Sequence, residues 1–138
     1  MKRCICLFIS LLLMLSGLLS LFACQSVLTV YDAVAVFDDE IYLVRKYGDS
    51  MISPIRENIE EDLGHETEIT AIVHVINQKT SVPNLEFTYI YEFSVEKDAE
   101  WFESNRSTYV ATLDGGRCVR FGKIVIFGTS PVIDTIGK

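Results

Sequence analysis

The sequence is poor in the residues from which reactive sites are most often built. Its 138 residues include two histidines and four cysteines. No His-Glu-x-x-His run and no Cys-x-x-Cys pair occurs, so no zinc constellation can be read. Asp114-Gly115-Gly116 lacks the Gly-Lys-Ser/Thr ending of a phosphate loop. Ser94-Val95-Glu96-Lys97 has the S-x-x-K spacing, but the SDN-like and KTG-like partners of that chemistry are missing, and the match is a coincidence. No cofactor is implied. Positive charge is also scarce: 12 Lys and Arg stand against 19 Asp and Glu, for a net charge of -7. A nucleic-acid binder that works by neutralising phosphates is thereby excluded. Repeats and Gly/Ser/Pro-rich linkers are absent. What remains is too apolar (49%) and too aromatic (11%) for a disordered tail, and it amounts to one domain.

Much of the apolar excess sits at the start. Lys2 and Arg3 are followed by an uncharged stretch from Cys4 to Tyr31. A basic start, an apolar middle and a small residue before a break form the layout of an export signal. Its end, Leu21-Phe22-Ala23-Cys24, resembles the lipobox of bacterial membrane lipoproteins, with Phe22 departing from the usual small or aliphatic residue. The resemblance covers residues 1–24 and implies cleavage between Ala23 and Cys24 and lipid attachment to the Cys24 thiol. It divides the chain into a signal peptide, 1–23, and one extracytoplasmic domain, 24–138. An uncleaved spanning anchor and ordinary secretion after Ala23 are the competing readings. Removing residues 1–23 takes away two basic residues and no acidic one. The remaining domain is repelled by anionic headgroups, so the expected membrane partner is reached through the anchor alone. Cys4 and Cys6 leave with the signal and Cys24 carries lipid, so Cys118 has no partner and no disulfide is expected. In a strand, Cys118 reads as a small buried hydrophobe; Arg117 and Arg120 supply the alternative of a reactive thiol.

The domain begins directly, since only Gln25-Ser26 separates Cys24 from Val27-Leu28-Thr29-Val30-Tyr31. Residues 33–45 fit either a hairpin around Asp38-Asp39-Glu40 or a helix carrying Phe37, Ile41 and Val44. Ser53-Pro54 predicts a helix start, with Ile55, Ile59 and Leu63 on one face and Gly64 as the stop. Residues 68–76 alternate, and residues 85–95 do so more cleanly. Leu85, Phe87, Tyr89, Tyr91, Phe93 and Val95 make one face; Glu86, Thr88, Ile90, Glu92 and Ser94 make the other. The polar 77–84 stretch predicts an antiparallel hairpin between the two runs. A helix follows over 97–113, with Phe102, Arg106, Tyr109 and Leu113 in register. A last strand covers 123–127, with Gly122 as a bulge, and a short helix starts at Ser130-Pro131. The expected fold is α+β: a small antiparallel sheet with helices on one face, in a ferredoxin-like split βαβ order.

The face opposite the helices is expected to carry Ile72, His74, Ile90 and Glu92. A solvated face would show fewer isoleucines, so it is expected to be covered by the N-terminal segment, a second copy or a protein partner. Glu57, Glu60, Glu61, Asp62, Glu66 and Glu68 form an acidic stretch that oppose a helix C-terminus, read as a solvated end or as a surface for a basic partner. His74 could approach Glu86 or Thr88 as an acid or base, but a structural histidine is the plainer reading. The expectation is a non-catalytic, lipid-anchored binding or interaction module. The alternatives are a binder of small ligands or envelope polymers, a hydrolase centred on His74, and an accessory subunit of a membrane complex.

Overall fold

Period-two alternation builds the centre of the domain. The computed structural model describes residues 29–136; the apolar leader, Ala23 and Cys24 lie outside the described residues. The elements in chain order are α1 (Val30–Val34), β1 (Tyr42–Lys46), α2 (Asp49–Leu63), β2 (Ile69–Asn77) and β3 (Phe87–Phe93), then α3 (Glu96–Val110), β4 (Gly116–Phe121), β5 (Ile124–Thr129) and α4 (Ser130–Ile136). The fold is α+β, a five-stranded sheet in the order β1-β2-β3-β5-β4 with every neighbouring pair antiparallel. The 69–77/87–93 hairpin forms as its alternation predicts.

The ferredoxin-like order does not form. β3-α3-β4 is a split unit, with β5 inserted between its two strands, but β1 and β2 are direct antiparallel neighbours joined through α2. A second difference lies at Gly122. It is not a bulge in one strand: with φ 59 it opens the two-residue turn between the paired Phe121 and Ile124, which makes two strands from one apolar run.

Helices cover both faces of the sheet, not one. On the first face, Ile52 and Ile59 of α2 and Ala99, Phe102 and Val110 of α3 pack on Ile72, Tyr91, Phe93, Val125 and Phe127. On the second, Val30 and Ala33 of α1, Phe37, and Val132 and Ile133 of α4 pack on Val73, Val75, Ile90, Ile124 and Ile126. Residues 33–45 thus form neither of the expected elements whole: the first part is the end of a helix, the last a strand. The five-residue α1 holds its start with a reciprocal cap, in which Asp32 N donates to Thr29 Oγ1 and Thr29 N donates to Asp32 Oδ2 (3.2 and 3.0 Å).

α2 starts a turn earlier than Ser53-Pro54 suggests. Met51 and Ile52 N–H both reach the Gly48 carbonyl, which brings Ile52 into the core ahead of Ile59. Pro54 then sits inside the helix and cannot donate to the carbonyl of exposed Ser50, which water can serve. Gly64 ends the helix as expected, left-handed at φ 75 with its N–H on the Glu60 carbonyl. α3 ends at Val110, short of Leu113, where its β-branched residues give way to tight turns.

β5 lies close against β3 at Gly128. A Cβ there would stand 2.2 Å from the Phe87 carbonyl oxygen, and the backbone is at φ 154. Gly128→Ala is therefore expected to cost about 2–4 kcal/mol, through forced separation of the two strands and backbone strain. Urea unfolding of the variant and its parent measures this; an unchanged midpoint contradicts it.

Candidate functional site

The helices leave part of the first sheet face open. Directly paired residues share a face, so its rows can be read from the register. Ile72, Tyr91 and Val125 make a row roofed by the helices. The next row, Arg45-His74-Tyr89-Phe127-Cys118, is roofed over β5 but half-open over β2 and β3. Beyond it, Leu43, Ile76 and Phe87 form a third row, with Leu43 40% exposed. Tyr47, just after β1, and Arg106 and Tyr109 of α3 complete a shelf of aromatic rings.

The rings are ordered against one another. His74 stacks on Tyr89 with centroids 4.1 Å apart and planes 6° from parallel. Phe87 meets Tyr89 edge-on at 5.9 Å, and Tyr89 continues onto Phe127 at 5.4 Å. Burial pushes the Tyr89 phenol up to about 12, helped by the nearby phenols of Tyr47 and Tyr109. Tyr91 is also pushed up to about 12, by burial first, against the opposing pull of the Arg106 charge. Both hydroxyls keep their protons at neutral pH. Burial, then Arg45, holds His74 below its ordinary value, so the imidazole is neutral there as well.

Arg106 of α3 brings a positive charge to the Tyr91 phenol. Its guanidinium lies over Phe102 at 5.0 Å and Phe127 at 5.8 Å. Its Nε is buried without a hydrogen-bond partner, and no carboxylate among the described residues pairs with it. Arg56, Arg117 and Arg120, by contrast, each have a carboxylate neighbour. The shelf therefore offers ring faces, protonated phenols and an uncommitted guanidinium.

A second polar cluster lies at the other end of α3. Asp98, only 4% exposed, accepts from the Thr67 hydroxyl at 2.6 Å and meets His65 Nε2 at 2.9 Å. Glu60 Oε1 accepts the Thr67 backbone N–H at 2.9 Å. A cavity of about 500 Å³ opens here, lined by Arg56, Glu60, Glu66, Thr67, Glu68, Ser94, Val95 and Asp98. Burial raises the Asp98 carboxyl, but the Thr67 and His65 hydrogen bonds and the His65 and Lys97 charges outweigh it and hold the group below its ordinary value. The cluster ties the 64–68 loop to the start of α3. No three His, Cys, Asp or Glu side chains come together as a metal would need, among the described residues.

The four residues expected to share one sheet face do not. Ile72 and His74 lie on the α2/α3 face, paired with Tyr91 and Tyr89. Ile90 is fully buried on the other face, and Glu92 lies at the Ala71 and Ile124 register, held by the Thr70 hydroxyl at 3.0 Å. A bulge at Thr70 contributes, since it puts Ile69 on the same side as Ile72. The apolar face expected to need a cover is filled by α1 and α4 of the same chain. His74 approaches neither Glu86, which binds Asn77, nor Thr88, which faces the opposite side. Cys118 is half-buried with its thiol pushed up by burial, while Arg117 and Arg120 are turned to Asp134 and to Glu96 and Glu103. It is the inert reading that fits. The acidic stretch divides: Glu60, Glu66 and Glu68 line the cavity, and Glu57, Glu61 and Asp62 are exposed.

Sequence reasoning missed Tyr47 and the Thr67–Asp98 pair. Spacing puts Arg106 and Tyr109 in the stripe of α3 that carries Phe102, and an arginine in that stripe is the signal the sequence holds. Comparison with family models, curated proteins and solved structures finds no match for this chain.

Asp98 generates a pH prediction. Its folded carboxyl titrates below the ordinary value of 3.8, so its stabilisation is complete above that pH and fades as pH falls through the folded value. Asp98→Ala is expected to lose about 1–3 kcal/mol at pH 7, because a buried hydroxyl is orphaned. In denaturant titrations the gap to the parent should narrow in acid. A gap that widens there contradicts the assignment.

Proposed function

We propose that this chain is a lipid-anchored, extracytoplasmic binding module without catalytic activity, and that it takes its ligand on the aromatic shelf. The observation that carries the reading is Arg106: a guanidinium left without a carboxylate among the described residues of an acidic chain, set beside the Tyr91 phenol and over Phe127 of the half-open row. Binding sites are of this kind, largely preformed and apolar with a few converging polar groups. Exposed Leu43 and Tyr109 at the rim give a partner apolar surface to cover.

The anchor supports the same reading. From Cys24 to Thr29 the chain can reach about 18 Å at full extension. The lipid would thus hold α1 close to the bilayer. α1 packs on the sheet face opposite the shelf, so the shelf would look away from the membrane, into the cell envelope.

Two experiments test this. Fractionation of cells expressing Cys24→Ala is expected to move the protein out of the membrane fraction; full retention overturns the lipid anchor. The full chain in phosphatidylcholine vesicles is expected to co-sediment with protein-free envelope polymer, and an Arg106→Gln/Tyr109→Ala variant is expected to be left behind. No retention of the parent, or equal retention of both, overturns the shelf as the site.

A further inference from the structure

The shelf's chemistry narrows what it can hold. We infer that its ligand is an acidic sugar, a uronate-type residue of a glycan, with its ring on Tyr89 and Phe87 and its carboxylate on Arg106. This rests on the binding-module reading above and specifies its ligand.

Three observations favour a sugar acid. First, the half-open rings are tipped with polar groups. Tyr47, Tyr89 and Tyr109 bring hydroxyls and His74 brings ring nitrogens, beside one bare Phe87 ring. Rings with polar tips suit a ligand that is apolar on its flat face and hydroxylated at its edge. The Tyr89 and Tyr47 hydroxyls already meet each other, and a purely apolar peptide would leave the exposed Tyr109 hydroxyl unserved. Second, burial pushes the half-open Tyr89 phenol further up, to about 12. It donates to an anion and does not repel it.

Third, the positive charge at the centre is single. Arg106 lies beside the Tyr91 phenol and over the Phe102 and Phe127 rings, and Arg45 enters the same face from β1, two strands away from Tyr89 and so roughly 10 Å distant along the sheet. One guanidinium without a second cation beside it matches a carboxylate better than a doubly charged phosphate. The spacing to Arg45 allows a second acid group further along an extended glycan. The rest of the chain is acidic, so an anionic polymer is attracted here and repelled elsewhere.

The full chain in phosphatidylcholine vesicles, titrated calorimetrically, provides the test. The probes are a galacturonic acid hexamer, the neutral glucose hexamer maltohexaose, and polyglutamate of matched charge. The uronate is expected to bind at least about tenfold tighter than either of the others. Arg106→Gln should weaken it by about tenfold. Tyr109→Phe, a change at an exposed ring that leaves packing intact, should weaken it by about two- to tenfold. Arg117→Gln, outside the shelf, should change nothing. Equal binding of maltohexaose, or uronate binding unaffected by both shelf variants, overturns the inference. Polyglutamate binding as tight as the uronate, and sensitive to Arg106→Gln, makes the site one for acidic peptide: the sugar assignment falls and the binding-module reading stands. Absence of binding to all three probes removes the sugar assignment, and the envelope sedimentation then decides the broader reading by itself.

Discussion

The pairing of β2 with β3 governs both cores and the shelf. Side chains alternate across a strand, so sliding one strand by a single residue exchanges its two faces. Here Ile72 meets Tyr91, His74 meets Tyr89, and Val73 meets Ile90. That register sends Val73 and Val75 under α1 and α4 and brings Ile72 under α2 and α3. It also stacks the imidazole on the Tyr89 ring. With the opposite phase, His74 would be buried among valines and isoleucines with no ring to lie on, and the valines would face the open side.

Local rules account for much of the architecture. Alternation located β2 and β3; Gly64 and Ser130-Pro131 marked the end and the start of helices; the aromatic set of β3 correctly named the face that α2 and α3 cover. The misreadings share a cause. Alternation gives each strand two faces but does not say which face of one strand matches which face of the next. The 77–84 loop decides that, and its polar residues carry no phase. Gly122 illustrates a related ambiguity, because a bulge and a two-residue turn both call for a glycine at positive φ.

The shelf was only partly legible for a different reason. Its members come from the β1–α2 junction, β2, β3 and α3, and nothing in their spacing along the chain brings Tyr47 near Tyr109. The trace that did exist was compositional. An arginine four residues after Phe102, on a helix face otherwise facing the core, requires either a carboxylate or an aromatic bed. The chain supplies the bed. The Asp98 cluster was less visible still, because an acid in the first turn of a helix is ordinary and its partners lie 33 and 31 residues upstream.

The first and last helices both pack on the face away from the shelf. The polypeptide therefore comes in and goes out on one side of the molecule. A fluorescent protein or affinity tag appended after Ile136 would leave from the face that α1 and α4 cover, and the aromatic rings on the other face would stay unobstructed.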